Sequence, residues 1–238
     1  MKTVLITGAN KGIGFETAKQ LAQLGYFVYL GSRDKKKGLD AITKLKELGI
    51  STVDCLEIDV TNIDSIIKAR QELESKLQGL DVLINNAGIA GDMPQNISTV
   101  ETENLRKVFE TNFFGAVQTT QQFIPLLKKS NEPIIVNVSS ELGSLAIHTK
   151  RQNPNYELFD AYSCSKTALN SFTVMLANEF IDTNFKINSV SPGYTATDLN
   201  QHRGLQTVEQ GAKFIVKYAT LGIDGPTGGY FKEQEIPW

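Results

Sequence analysis

This chain has few of the residues that would place it in several common classes of protein. It contains two cysteines and two histidines in 238 residues, and none of Cys55, Cys164, His148 and His202 stands beside another at the spacing of metal ligands. A zinc site needs a cluster of such side chains, so no metal site is expected. Isolated thiols suit a reducing compartment, and a cytoplasmic location is therefore predicted.

An excess of charge and long apolar runs are also missing. The 24 lysines and arginines are nearly balanced by 26 aspartates and glutamates, which leaves a net charge of −2. The three lysines at 35–37 are too few for a nucleic-acid surface and fit the solvated start of a helix. No apolar stretch reaches membrane-spanning length, and the chain runs directly into an apolar segment at 3–7 without a signal peptide. Neither nucleic-acid binding nor membrane binding is expected.

Short apolar segments rich in β-branched residues recur along the chain. They are too short for helices and too continuously apolar for a sheet with one solvent-exposed face, so they predict strands buried on both faces. These segments lie at 3–7, 26–30, 52–58, 81–85, 133–138, 186–191 and 228–231.

Helical patterns occupy the intervals between these segments. Apolar residues at helical spacing predict helices over 13–24, 62–78 and 161–180, and a long helix after Glu101. Strands that alternate with helices predict an α/β fold, with a doubly wound parallel seven-stranded sheet and helices on both faces. No linker or shift in composition interrupts residues 1–238, so we expect a single domain of Rossmann type.

A glycine-rich turn follows the first predicted strand and opens the first helix. Gly8, Asn10, Gly12, Ile13 and Gly14 lie in this turn. Backbone N–H groups and the dipole at a helix N-terminus attract anions, and glycine lets the backbone approach a pyrophosphate closely. The turn is therefore predicted to bind a dinucleotide; the alternative is a tight connection with no ligand.

Two basic residues near this turn indicate which dinucleotide is bound. An acidic residue at the end of the second strand usually holds the ribose 2′-hydroxyl of NAD, but Ser32 stands at about that place and Arg33 follows. Lys11 and Arg33 together would bind a 2′-phosphate, so NADP(H) is predicted. The alternatives are a solvated surface pair, or a strand that ends two residues later at Asp34.

Seven motifs in order along nearly the whole chain resemble those of the classical short-chain dehydrogenases/reductases, and among them the NADPH-dependent carbonyl reductases are most similar. The motifs are TGANKGIG at 7–14, DVTN at 59–62, NNAG at 85–88, TNFFG at 111–115, VNVSSELG at 136–143, YSCSK at 162–166 and SPGYTATD at 191–198. The resemblance implies that residues 1–238 form one dinucleotide-binding and catalytic domain.

The resemblance assigns catalysis to Asn112, Ser140, Tyr162 and Lys166. Tyr162 and Lys166 are four residues apart on a predicted helix, so their side chains share a face. An ammonium about 6 Å from a phenol is worth about 3 kcal/mol at an effective dielectric of about 20, which would lower the phenol pKa by about two units. Tyr162 would then serve as a proton donor at neutral pH.

Two of these assignments have alternatives. Ser140 is predicted to hydrogen-bond the substrate oxygen, and Ser139 is the alternative. By the resemblance, Asn112 steadies a water in a proton relay; a helix asparagine that repairs a backbone kink is the other interpretation.

Further residues are predicted to bind the cofactor because they lie in the family's motifs. Asp59 is expected to face the adenine ring, unless it caps the following helix, where Thr61 and Asn62 compete for that position. The remaining predicted contacts are Val60, Asn86, Ala87, Gly88, Tyr162, Lys166, Pro192, Gly193, Thr195 and Thr197.

The sequence thus predicts an enzyme that transfers a hydride from NADPH to an aldehyde or ketone, with a small carbonyl compound as its partner. An NAD-linked alcohol dehydrogenase of the same fold and a non-catalytic NADP(H)-sensing regulator are the alternatives. The spacing from Ser140 to Tyr162 is longer than is usual in the family and predicts a short inserted loop at about 146–160. The loop leaves the oligomeric state open, with a homodimer or homotetramer among the possibilities.

Overall fold

The computed structural model describes residues 1–150 and 159–238. One parallel sheet forms its centre, with the strand order β3-β2-β1-β4-β5-β6-β7. Each strand overlaps one of the seven predicted segments, so the predicted fold class is confirmed. The strands are β1 (Thr3–Ile6), β2 (Phe27–Ser32), β3 (Val53–Glu57), β4 (Val82–Asn85), β5 (Ile134–Val138), β6 (Lys186–Val190) and β7 (Tyr230–Phe231).

Helices cover both faces of this sheet. Those predicted at 13–24, 62–78 and 161–180 correspond to α1, α3 and α7, whereas α2 was anticipated only as a helix start and α8 was not predicted. The helices are α1 (Gly12–Gln23), α2 (Lys35–Glu47), α3 (Ile63–Lys76), α4 (Thr102–Phe109), α5 (Gly115–Leu127), α6 (Leu145–Thr149), α7 (Asp160–Glu179) and α8 (Val208–Ala219).

The sheet separates two apolar cores. Val4 and Ile6 of β1 face a core shared with α1, α2 and α8, whereas Leu5 faces the core formed with α3, α5 and α7. All three side chains are fully buried. A strand that contributes side chains to two cores needs apolar residues at every position, which explains the continuous apolar runs in the sequence.

The predicted long helix after Glu101 is interrupted. A π-helical turn at Glu110–Phe114 lies between α4 and α5 and contains Asn112. Such a turn widens the helix locally and is frequent at functional sites.

The carboxyl ends of the strands meet at one edge of the sheet. The order reverses between β1 and β4, which is the position where ligands bind in doubly wound sheets. The glycine turn follows β1, and residues 86–88, 139–140 and 191–198 follow β4, β5 and β6.

Part of the predicted inserted loop forms α6, and its residues 151–158 lie outside the described residues. Within the ranges 1–150 and 159–238, no helix combines the length and apolarity needed to cross a bilayer.

Candidate active site

The glycine turn packs closely against the segment that follows β4. Gly8 has a φ of 63°, in the left-handed region that favours glycine. A Cβ added to Gly8 would lie 2.9 Å from the Cα of Ala87, and one added to Gly14 would lie 2.5 Å from Nδ2 of Asn86. Larger residues would therefore push the turn away from β4.

The other side of the turn is open. Gly12 has a φ of 59°, and the nearest atom to a Cβ added there is Cγ2 of Thr197, at 3.8 Å. Lys11 occupies the N-cap position of α1, but no side-chain hydrogen bond caps this helix. An open turn and an uncapped helix N-terminus fit the pyrophosphate of a dinucleotide.

Side-chain hydrogen bonds fasten the turn to the end of β4. Asn86 donates from Nδ2 to the carbonyl oxygens of Thr7 (2.8 Å) and Gly8 (3.1 Å). The Thr7 hydroxyl accepts from the backbone N–H of Ala87 at 3.0 Å. A Cβ added to Gly88 would lie 3.6 Å from Nζ of Lys166, so this segment links the glycine turn to α7.

The end of β2 leaves an arginine exposed. β2 ends at Ser32, whose hydroxyl donates to the main-chain oxygen of Asp34 at 2.8 Å. The Asp34 carboxylate caps α2 by accepting from the N–H of Lys37 at 3.1 Å. β2 therefore ends without an acidic residue, and Arg33 is exposed there.

Lys11 reaches across the cleft to the segment that follows β6. Its Nζ lies 2.6 Å from Oδ2 of Asp198, whose other oxygen lies 2.9 Å from Nε2 of His202. Lys11 first, and then His202, hold the pKa of Asp198 below its ordinary value. Lys11 therefore shares its charge with Asp198 at the place where a phosphate would bind.

The predicted adenine contact lies in a local turn. Oδ1 of Asp59 accepts from the N–H (3.0 Å) and the hydroxyl (2.8 Å) of Thr61. Asn62 is the residue that caps α3. Val60 is buried and packs against Gly115, so its side chain belongs to the core.

The segment after β6 turns sharply towards the glycine turn. Gly193 has a φ of 73° and follows the buried Pro192. The hydroxyl of Thr195 is buried and donates to the carbonyl of Pro192 at 3.0 Å. That hydroxyl is therefore used within the turn, whereas Thr197 faces Gly12.

Tyr162 and Lys166 lie one turn apart near the start of α7. Tyr162 is 9% exposed and Lys166 is 4% exposed. Nζ of Lys166 donates to the carbonyl of Val138 at 2.8 Å and lies 5.6 Å from the centroid of the Tyr162 ring. The Ser140 hydroxyl lies beside the Tyr162 phenol, whereas the Ser139 hydroxyl is buried.

Burial determines the protonation of this pair. It raises the pKa of Tyr162 to about 12, and the neighbouring Ser140 hydroxyl offsets part of that rise. Burial lowers the pKa of Lys166 to about 8. The expected lowering of the phenol pKa is therefore not found for the protein without its cofactor, because desolvation raises that pKa.

Asn112 connects two segments of the site. Its Oδ1 accepts from the N–H of Ile89 at 2.8 Å, and its Nδ2 donates to the Ile89 carbonyl (2.9 Å) and to the Ser165 hydroxyl (3.0 Å). Ser165 in turn donates to the carbonyl of Tyr162 at 2.7 Å. The Asn112 amide thus ties the π-helical turn to the main chain beneath the phenol.

Two residues at the site were not predicted. Gln95 is fully buried, donates to the Ala90 carbonyl at 2.6 Å and accepts from the N–H of Tyr162 at 3.1 Å. Tyr230 on β7 donates its hydroxyl to the main-chain oxygen of Ser140. No local motif marks either residue, because each reaches the site from a distant part of the chain.

Comparisons with known proteins show what the chain is similar to. A family model for short chain dehydrogenases matches residues 2–207. The (+)-neomenthol dehydrogenase of Capsicum annuum is 35% identical over 304 aligned positions, which cover 98% of this chain and 96% of the relative. The alignment is longer than this chain, so the relative contains segments that are missing here.

Solved structures extend the comparison. Salutaridine reductase from Papaver somniferum superposes with a TM-score of 0.85 at 30% identity, covering 98% of this chain and 100% of the other. ElxO, solved with NADP bound, gives a TM-score of 0.84 at 28% identity, with 98% and 97% covered.

Proposed function

The chain belongs to the short chain dehydrogenase family, and on that premise we propose that it reduces the carbonyl group of an aldehyde or ketone with NADPH. One observation carries the proposal: the Tyr162 phenol is buried beside the Ser140 hydroxyl, with the amine of Lys166 5.6 Å from its ring. This arrangement offers a hydrogen bond and a proton to one carbonyl oxygen.

Each of these side chains has a distinct role in the proposed reaction. NADPH, when bound, would supply the hydride that forms the new bond to the carbonyl carbon. Ser140 donates a hydrogen bond to the carbonyl oxygen, and Tyr162 transfers its phenolic proton to that oxygen, which gives the alcohol. The Lys166 ammonium stabilises the negative charge that develops on the phenol, and its bond to Val138 keeps it in place.

The charge near the ribose end of the cleft supports NADP(H) as the cofactor. Arg33 is exposed where β2 ends, and Lys11 lies at the N-terminus of α1. Both carry the positive charge that would bind a 2′-phosphate. ElxO, which has the same fold, was solved with NADP bound.

The cellular setting follows from the thiols. Cys55 and Cys164 are both free, and Cys164 is exposed, which suits a reducing compartment. We therefore infer a cytoplasmic location. A homodimer or homotetramer stays a prediction that analytical ultracentrifugation would decide.

A panel of aldehydes and ketones, followed at the nicotinamide absorbance with NADPH and NADH in parallel, tests the proposal. We expect turnover with NADPH, and a loss of about 10²- to 10⁴-fold in kcat for Tyr162→Phe, with cofactor affinity retained. Tyr218→Phe is the matched control, because Tyr218 is also buried but stacks on Phe231. Tight NADPH binding without turnover on any compound would instead support a cofactor-sensing regulator.

A further inference from the structure

A second buried tyrosine lies beneath the catalytic serine. Tyr230 is fully buried, and its hydroxyl donates to the main-chain oxygen of Ser140. The side chains of Asn170 and Ser139 flank this hydroxyl. A phenylalanine would keep the ring and lose only the hydroxyl, so the contact with Ser140 depends on that hydroxyl.

That contact fixes the peptide that carries the Ser140 hydroxyl. The Ser140 carbonyl also accepts from the N–H of Gly143 at 2.7 Å, and the Ser140 hydroxyl accepts from the N–H of Leu142 at 3.2 Å. Two donors on one carbonyl restrict rotation of the main chain at Ser140. The direction of its side chain towards Tyr162 is restricted with it.

The segment 232–238 holds Tyr230 and the serine turn together. The ring of Trp238 stacks on the Tyr230 ring with centroids 5.4 Å apart and an angle of 23°. The hydroxyl of Ser144 donates to the Pro237 carbonyl at 2.6 Å, and the N–H of Ala146 donates to the Trp238 carbonyl at 2.8 Å. The segment therefore contacts both the tyrosine and the residues just after Ser140.

We propose that Tyr230 is a positioning residue for the reduction: it holds the Ser140 main chain so that the serine hydroxyl meets Tyr162 and the carbonyl oxygen, and segment 232–238 keeps Tyr230 in place. The proposal rests on the proposed function, since it assigns Tyr230 a part in that same reaction. Its effect is exerted through Ser140 and not on the cofactor.

Tyr230→Phe is the direct test, because it removes the donor and keeps the ring that stacks on Trp238. We expect kcat to fall about tenfold and KM for NADPH to stay unchanged, since one hydrogen bond to the serine turn is lost. In a Ser140→Ala background the same substitution should cause no further fall. Tyr218→Phe, on α8, should leave kcat unchanged.

The outcomes separate the two proposals. If the wild-type protein reduces no carbonyl compound, both the proposed function and the positioning role of Tyr230 are rejected. Wild-type turnover combined with an unchanged kcat in Tyr230→Phe, or with an equal fall in the Ser140→Ala background, rejects the positioning role alone.

Folding is checked through the single tryptophan, Trp238, whose fluorescence reports directly on its stacking against Tyr230. If Tyr230→Phe does not fold, Trp238→Ala takes its place, with folding followed by far-UV circular dichroism because this variant has no tryptophan; we expect a smaller fall in kcat that is again absent when Ser140 is alanine. A fall that persists in that background overturns the proposal.

Discussion

Substituting methionine for Lys166 keeps a long side chain but removes the ammonium that faces the Tyr162 ring. The two groups are 5.6 Å apart, measured from Nζ to the ring centroid. Two unit charges at this distance interact by about 3 kcal/mol at an effective dielectric of about 20. As Tyr162 gives up its proton, this attraction is lost in the variant, so kcat/KM for the carbonyl compound should fall by up to about 100-fold.

The pH dependence identifies the group responsible. Burial lowers the pKa of Lys166 to about 8 and raises that of Tyr162 to about 12, so Lys166 is the member of the pair that titrates first as the pH rises. The protonated form of Lys166 is the one that stabilises the charge developing on the Tyr162 phenol. Wild-type kcat/KM should therefore be constant below pH 8 and decrease as the pH rises through 8, whereas Lys166→Met should be slow and flat over the same interval.

Initial rates at saturating NADPH on both sides of pH 8 give this profile. Cofactor affinity is measured separately, because Lys166 is also a predicted cofactor contact. Lys128→Met is a matched control, since the Nζ of Lys128 lies 5.4 Å from the Phe180 ring, on a different pair of aromatic and amine groups. A Lys166→Met variant that keeps the wild-type rate, or that keeps the decrease near pH 8, would refute the reasoning.

Two further predictions concern cofactor choice and stability. Arg33→Ala should raise KM for NADPH about 10- to 100-fold and leave KM for NADH unchanged, because a charge-assisted phosphate contact is lost. Asp198→Asn frees Lys11 from its 2.6 Å ion pair and should lower KM for NADPH. Equal effects on KM for both cofactors would contradict the assignment of Arg33 and Lys11 to the 2′-phosphate. Lys166→Met should also be more stable than the wild type at neutral pH by up to about 3 kcal/mol, less the cost of the unpaired Val138 carbonyl. The reason is that the lysine has a pKa of 10.5 in the unfolded chain and of about 8 in the folded chain, so folding weakens its hold on the proton. Urea denaturation should show this difference shrinking as the pH rises from 8 to 10.5, and a difference that does not change with pH would exclude the linkage.

The strands were predictable from the sequence, whereas α2 was predicted only as a helix start and α6 and α8 were not predicted. A strand such as β1 contacts a core on both faces, so its residues form an unbroken apolar run. Helix α2 buries only Gly38, Ala41, Ile42 and Leu45 among its thirteen residues. Charged and polar residues outnumber these four, so the lysines at 35–37 indicated only the solvated start of a helix.

The residues of the site fall into two groups, those that are close in sequence and those that meet from distant parts of the chain. Tyr162 and Lys166 are four residues apart on one helix, so the sequence predicted their shared face. Gln95 and Tyr230 contact the main chain of Tyr162 and Ser140 across 67 and 90 residues of sequence. Such contacts depend on how a loop and a strand end pack, which no local spacing encodes.

Burial sets the protonation of Tyr162 and Lys166 in the resting site. With a pKa of about 12 for Tyr162 and about 8 for Lys166, the phenol is protonated and the amine is mostly charged at neutral pH. This is the state that donates a proton to a carbonyl oxygen. Oxidation of an alcohol requires the phenolate, which Tyr162 reaches only far above neutral pH when no further positive charge is near. An oxidised nicotinamide carries such a charge, so the reverse reaction depends on the charge of the bound cofactor.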